Sequence, residues 1–480
     1  MSKQTTSFYW HDYETWGANP AVDRAAQFAG LRTDLDFNPI GEPSVVYARP
    51  AQDILPQPGA CMVTGISPQQ ALAKGVPEAD FFRFIHTELA QPGTCALGYN
   101  SIRFDDEITR YGLYRNFYDP YEREWKNGNS RWDLIDVVRL TRALRPEGIN
   151  WPEHEPGVTS FRLEELTAAN GIEHSGAHDA LADVYATIAL AKLIKQVQPR
   201  LFEYVFTHRS KQSLSKLLNV HSVVPVLHAS ARYPARLGCI ANVLPLAIHP
   251  HNRNAIVVYD LRQDPQDLLT LEAEQIRERL YTRTEDLPAG TERIPLKLVH
   301  INRASVVVPA STLTDAVREQ WQLDPQREQQ HLSLLLAERA GLQDKLAQLY
   351  TEHYGDQARD PDFSLYGGFL SEEDKQRCTQ IRQTQPEALG QKSFAFEDAK
   401  LHAMLLRYRA RNWPESLGAD EQVEWQAFCR QRLTDPVAGG SVVLADYQKE
   451  LSGMAADTSL TAQQHDLVNQ LLAWPAQLGL

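Results

Sequence analysis

Two carboxylates two residues apart constrain this chain more than any other local feature. The segment His11-Asp12-Tyr13-Glu14-Thr15 closes an apolar, aromatic-rich run, residues 7–14, that reads as a strand. Alternate side chains of a strand project from one face, so Asp12 and Glu14 stand side by side while Tyr13 points the other way. Like charges on one face repel unless a cation lies between them, and a hard divalent ion such as Mg²⁺ or Mn²⁺ suits an all-oxygen site. A lone D-x-E is also explained by solvated acids at a strand edge, so the pair needs company before it points to chemistry.

Company comes from two later segments. Gly98-Tyr99-Asn100-Ser101-Ile102-Arg103-Phe104-Asp105-Asp106 runs from a buried strand through an Asn-held turn into a helix, with Asp105 at the helix entry. An Asp in that place commonly serves only as an N-cap. Ala177-His178-Asp179-Ala180-Leu181-Ala182-Asp183 opens another helix, where small alanines permit close approach to a sheet and Asp183 lies more than one turn in. Stacked acids near a helix N-terminus account for Asp179 and Asp183, but not for the accompanying His178.

Around these motifs, residues 7–197 alternate strand and helix patterns. Strands are expected at 7–14, 27–33, 44–48 and 95–99, and helices at 78–90, 105–117, 133–144, 161–170 and 178–196. That order implies an α/β domain with a mixed sheet. After Pro199 the Val- and Ile-rich runs 237–248, 254–261 and 295–310 imply a β-rich middle domain, and beyond about Asp324 the pattern is helical. The expected division is 7–197, 198–352 and 356–480, consistent with a 480-residue chain too long for one core.

Composition narrows the class. Hydrophobic residues at 43% and charged residues at 23% are the balance of a globular protein. No apolar window is long enough to span a bilayer and no leader is evident, so no membrane association and a cytoplasmic location are expected. Five scattered cysteines without a C-x-x-C pair argue against disulfides and a thiolate metal site. The net charge of −13 counts against a polyanionic partner, although a carboxylate cluster adds negative charge that bound cations would neutralise.

D-x-E on the first strand, N-x-x-F-D after a buried strand and H-x-A-x-x-D on the last helix of the domain resemble the DEDD exonuclease superfamily. The His five residues before the last Asp marks its DEDDh branch. Longer stretches resemble one family, bacterial exonuclease I: HDYETWG at 11–17, SRWDLIDVVR at 130–139, LRPEGINWP at 144–152, SFRLEEL at 160–166, PRLFEYVFTHRSK at 199–211, HPHNRNA at 249–255, LVHINR at 298–303 and RYRARNWP at 407–414. The likeness is thin between residues 312 and 362 and after Pro414.

The resemblance implies a ribonuclease H-like exonuclease domain, a Src-homology-3-like β domain and an all-helical C-terminal domain. It implies 3′→5′ hydrolysis of single-stranded DNA to 5′-mononucleotides with two Mg²⁺ ions, Mn²⁺ being the alternative. Asp12, Glu14, Asp105 and Asp183 would hold the metals, with Asp12 bridging, and His178 would act as general base. The implied partners are single-stranded DNA with a free 3′ end and the acidic C-terminal tail of single-stranded-DNA-binding protein. A monomer and a role in DNA repair and recombination are implied too.

Strand binding has its own trace. Between Tyr111 and Trp132 lie seven aromatics in 22 residues, against 9% for the whole chain, interleaved with Arg110, Arg115, Arg123, Lys126 and Arg131. Stacking on such rings contributes ~1–3 kcal/mol per base without regard to sequence; core packing accounts for about half of such rings. The expected substrate contacts are Glu14, Arg110, Tyr121, Trp125, Arg139 and Arg145, with Arg162 implied by the resemblance of SFRLEEL to a substrate-contacting family position, extended by Asn254, His300 and Arg303 in the middle domain. A DEDDh exoribonuclease or proofreading exonuclease shares the motifs but not LRPEGINWP or two extra domains. A single-stranded nucleic-acid-binding scaffold is the non-enzyme alternative, disfavoured because all five expected active residues are present.

Overall fold

The computed structural model describes residues 5–174, 179–350 and 360–480. The chain folds into two compact units: Met1–Ser130 with His174–Ile188 and Gln357–Leu480, and Arg131–Glu173 with Ala189–Asp356.

In the first unit, β1 (Ser7–Thr15), β2 (Ala25–Thr33), β3 (Ser44–Tyr47) and β4 (Thr94–Gly98) form a sheet in the order β3-β2-β1-β4. The pairs β1–β2 and β2–β3 are antiparallel and β1–β4 is parallel, which makes the sheet mixed as expected. β5 (Ser130–Asp133) follows where the chain passes from the first unit to the second. Phe28, Phe81, Phe82, Ile85 and Leu113 pack against β1 through Tyr9 and Tyr13 in one apolar cluster. A second cluster joins Trp16, Ala26 and Leu55 to Leu433, Tyr447, Leu471 and Trp474, so the C-terminal helices share a core with the strands. Helices Pro58–Thr64 and Pro68–Lys74 in that cluster lie outside the expected elements. At seven residues each they are too short to show a period, and a proline starts each one.

Charge reinforces this joint. Asp53 is fully buried and is met by Arg24 at 3.3 Å, Arg411 at 2.8 Å and Arg432 at 2.8 Å. Asp362, equally buried, is bonded by Arg407 at 3.0 Å, Arg411 at 2.5 Å and Arg432 at 3.1 Å. Burial alone would raise both carboxyls, but the arginines prevail and hold them below the usual carboxylate range.

The second unit carries a small hairpin, β6 (Glu153–Glu155) with β7 (Val158–Thr159), and a five-stranded antiparallel sheet. The larger sheet comprises β8 (Val226–Ala229), β9 (Ile240–His249), β10 (Asn252–Asp260), β11 (Leu296–His300) and β12 (Val306–Pro309), in the order β11-β10-β9-β8-β12. Val226, Val243, Val258 and Val299 pack in one cluster with Leu214 and Leu218, while Val257 and Leu246 join Leu335, Leu342 and Leu346 in another. β8, only four residues long, falls outside the expected strands.

Two expected helix ends shift for local reasons. Helix Asp105–Arg115 stops short of Phe117, which adopts a left-handed backbone with φ of 61°. Asp133 caps rather than enters helix Leu134–Leu144, its side chain accepting from Ile135 N.

Asp53→Ala strips three buried guanidinium groups of a shared partner. It should lower stability by ~3–5 kcal/mol, read as a shift in the urea transition; a change under ~1 kcal/mol would show the network to be dispensable.

Candidate active site

β1 ends in a bulge. Asp12 pairs with Ala29 and Glu14 with Gln27 across the antiparallel ladder, and the register slips between Glu14 and Thr15. A bulge re-aims side chains at a strand end. The Gln27 side chain accepts a hydrogen bond from Ala180 N at 3.4 Å, which ties the helix Ala180–Val197 to the strand residue opposite Glu14. Asp179 caps that helix, its carboxylate accepting from Leu181 N and Ala182 N at 3.2 Å each. Buried Ala180, Val184 and Ala186 let the helix lie close. Asp183 is thereby carried to the two strand acids.

One carboxylate oxygen from each of Asp12, Glu14 and Asp183 lies within 4.8 Å of the others. Oxygens bound to one divalent ion at about 2.1–2.5 Å lie at most ~5 Å apart, so the spacing fits a shared cation.

Asp105 arrives from the parallel neighbour. β4 ends at Gly98, where a Cβ would stand 2.6 Å from the His11 carbonyl oxygen, so glycine alone allows this approach to β1. Asn100 then turns the chain with φ of 62°, and Asp105 becomes the first residue of helix Asp105–Arg115, only 3% exposed. The helix start is fixed on two sides. The Thr109 hydroxyl donates to the Asp105 carbonyl at 2.8 Å and lies 2.9 Å from Tyr13 Oη, while Arg123 bonds the adjacent Asp106 at 2.7 Å. Tyr13, pointing away from the acids, therefore braces the helix that delivers the fourth one.

The electrostatics agree with the geometry. Withdrawal from water and then the charges of Asp105 and Asp183 push the Asp12 carboxyl well above its ordinary value. Burial, followed by Asp12 and Asp183, pushes Glu14 up to about 9. Acids rather than arginines are the charges that act most strongly on both groups. Carboxylates that raise one another in this way form the donor set of a hard metal ion.

Known proteins carry the same architecture. Exodeoxyribonuclease I of Escherichia coli (strain K12) is 49% identical over 433 residues, spanning 90% of this chain and 91% of that protein. The chain belongs to the exonuclease I family. Family models cover its length: Exonuclease at residues 9–191, Exonuclease I SH3-like domain at 209–352 and Exonuclease I C-terminal domain at 359–478. The likeness therefore continues through 312–362 and beyond Pro414, where motifs alone are sparse. Exonuclease I from Methylocaldum szegediense superposes with a TM-score of 0.95 at 48% identity, covering 98% of this chain and 99% of that one. The zinc-bound complex of E. coli exonuclease I with single-stranded DNA superposes at 0.94 with 45% identity, covering 99% and 100%. The carboxylate cluster thus lies on the exonuclease I fold, whose E. coli representative has been solved with a zinc ion bound. Among the described residues no helix is long and apolar enough to cross a membrane.

Other expected exonuclease I site residues fall variously. His178 lies outside the described residues. Trp125 is 64% exposed and Tyr121 half-buried, whereas Tyr111, Phe117 and Trp132 belong to the core. Arg110 is buried and bonded to Glu107 and Glu124 at 2.7 Å each. Arg139 is bonded to Asp136 at 2.5 Å and lies over the Phe161 ring. Arg162 is largely exposed, and Arg145 donates to the Leu144 carbonyl. Asn254 and His300 lie together at one end of the β10–β11 pair, where Ile301 N donates to the Asn254 carbonyl and Arg303 follows. Burial, and then Arg303, lowers His300 to about 4.

Two residues escape the sequence reading. His174 places Nε2 2.5 Å from Asp183 Oδ1; its one signal is a second histidine four residues before His178. Phe369, 88% exposed, stands edge-on to Tyr121.

Between its ordinary value of 4.5 and about 9, Glu14 keeps in the folded, cation-free protein a proton that the unfolded chain releases. Stability then falls as pH rises across that window. In EDTA the melting temperature of the unaltered protein should drop relative to Glu14→Gln between about pH 5 and 9, and Mg²⁺ or Mn²⁺ should remove the difference. Parallel curves for the two proteins would contradict this.

Proposed function

We propose that this exonuclease I-family protein hydrolyses single-stranded DNA from its 3′ end, one nucleotide at a time, releasing 5′-mononucleotides. The observation that carries the reading is the convergence of Asp12, Glu14 and Asp183 within 4.8 Å on the family's exonuclease fold. The E. coli relative crystallised with single-stranded DNA supports the substrate class.

Asp12, Glu14 and Asp183 would hold two divalent ions, with Asp105 completing the set directly or through water. Mg²⁺ is the proposed metal and Mn²⁺ the alternative. When bound, such ions activate water and stabilise charge on the phosphate and the departing 3′ oxygen. His178 is assigned as the base that takes the proton of the attacking water, since imidazole titrates at ~6.5, close to working pH. Water adds to phosphorus as the bond to the preceding 3′ oxygen breaks. The phosphate therefore leaves on the 5′ carbon of the released nucleotide, and the shortened strand keeps a 3′ hydroxyl.

Trp125 and Tyr121 are assigned to stack on bases. Arg110, Arg139, Arg145 and Arg162, with Asn254, His300 and Arg303, are assigned to the backbone path. Glu14 is also assigned to contact the terminal nucleotide. Residues 7–197, 198–352 and 356–480 are taken as the domains. Family likeness supports four further assignments: the acidic tail of single-stranded-DNA-binding protein as partner, repair and recombination as the role, a cytoplasmic location and a monomer.

A time course on end-labelled oligonucleotides tests this, with 3′-blocked, RNA and duplex controls. Mg²⁺-dependent shortening from the 3′ end is expected, with a drop of at least ~100-fold in His178→Ala and Asp183→Ala. Equal attack on 5′ ends, or undiminished activity in EDTA, would overturn it.

A further inference from the structure

His174 approaches the carboxylate cluster from outside the family's motif. It precedes the helix that carries Asp183, and its Nε2 lies 2.5 Å from Asp183 Oδ1. Its side chain is 5% exposed against 19% for Asp183. When Asp183 is ionised, as a cation ligand must be, its carboxylate only accepts hydrogen bonds and the imidazole nitrogen is the donor. The separation puts the ring nitrogen and the carboxylate oxygen in direct hydrogen-bonding contact. A histidine kept merely as packing has no need to aim a nitrogen at an acid.

Asp183 differs from its partners in how it is supported. Asp12 and Glu14 stand on a paired strand whose register fixes them against Ala29 and Gln27. Asp183 stands near the start of a helix, and its carboxylate must be held in one plane to share a cation with the strand acids. Hydrogen bonds to ligating carboxylates commonly perform that task.

We propose that His174 is the positioning residue of Asp183: its hydrogen bond occupies one carboxylate oxygen and fixes the plane in which the other meets the cation. This rests on the reading that Asp183 is a metal ligand. His174 acts through Asp183 and does not touch the reacting phosphate.

The test is calorimetric titration of Mn²⁺ into the cation-stripped full-length protein and three variants. Asp183→Asn is the control for the underlying reading: if it binds Mn²⁺ as tightly as the unaltered protein, Asp183 is not a ligand, whatever His174 does. With that control in place, His174→Ala should weaken Mn²⁺ binding about 10- to 100-fold. His174→Gln, which keeps an N–H donor within reach, should recover affinity to within ~3-fold of the unaltered protein. Turnover at limiting Mn²⁺ should follow the same order, with KM for the oligonucleotide unchanged. Affinity in His174→Ala within ~2-fold of the original, or above it, would overturn the proposal, the latter because the imidazole would then be competing with the cation. Equal losses in the Ala and Gln variants would also overturn it. If His174→Ala does not fold, His174→Phe, which fills the space without a donor, takes its place with the same expected loss.

Discussion

Like charges gathered around one point are the constraint from which the first unit takes its form. Asp12 and Glu14 come from a strand and Asp183 from a helix far along the chain, while Asp105, first residue of the helix after the parallel neighbour, adds its charge against Asp12. Bringing them together costs free energy at every step, through burial and then through repulsion. The metal-free protein relieves that cost by keeping protons, which is why Glu14 is pushed up to about 9. A divalent cation relieves it by matching the charge, and the relief is the physical link between fold and chemistry.

The same unit contains the opposite solution. Asp53 and Asp362 are completely buried, yet arginines from both halves of the sequence surround them. Their carboxyls are held below the usual range, whereas those of Asp12 and Glu14 are raised. Identical chemical groups thus report two different jobs. Where arginine meets Asp53 and Asp362, it joins the C-terminal helices to the sheet; where acid faces acid, the group is raised and suits a cation. Arg110, Arg115 and Arg123 follow the first pattern, each bonded to an acid of the same unit, Glu107, Glu78 and Asp106 respectively.

Much of this was legible in residue order. Alternation exposed the strand pair Asp12 and Glu14, a buried strand ending in Gly98 led to Asp105, and small residues at helical spacing brought in Asp183. Each of these depends on local periodicity, which a sequence displays directly. Pairing across long separations is not displayed in that way. Nothing near Arg110 in the sequence shows that Glu107 and Glu124 both bind its guanidinium. His174 sits in an aperiodic segment, so only its contact with Asp183 reveals it. The helices Pro58–Thr64 and Pro68–Lys74 depend on a core completed by Tyr447 and Leu471, nearly four hundred residues away.

The central claim is that the three converging carboxylates are one divalent-cation site. Anomalous diffraction from crystals grown with Mn²⁺ tests it most directly. Two peaks about 4 Å apart are expected, in contact with Asp12, Glu14 and Asp183, with Asp105 adjoining them directly or through water. Peaks elsewhere in the molecule, with none among these carboxylates at saturating Mn²⁺, would contradict it.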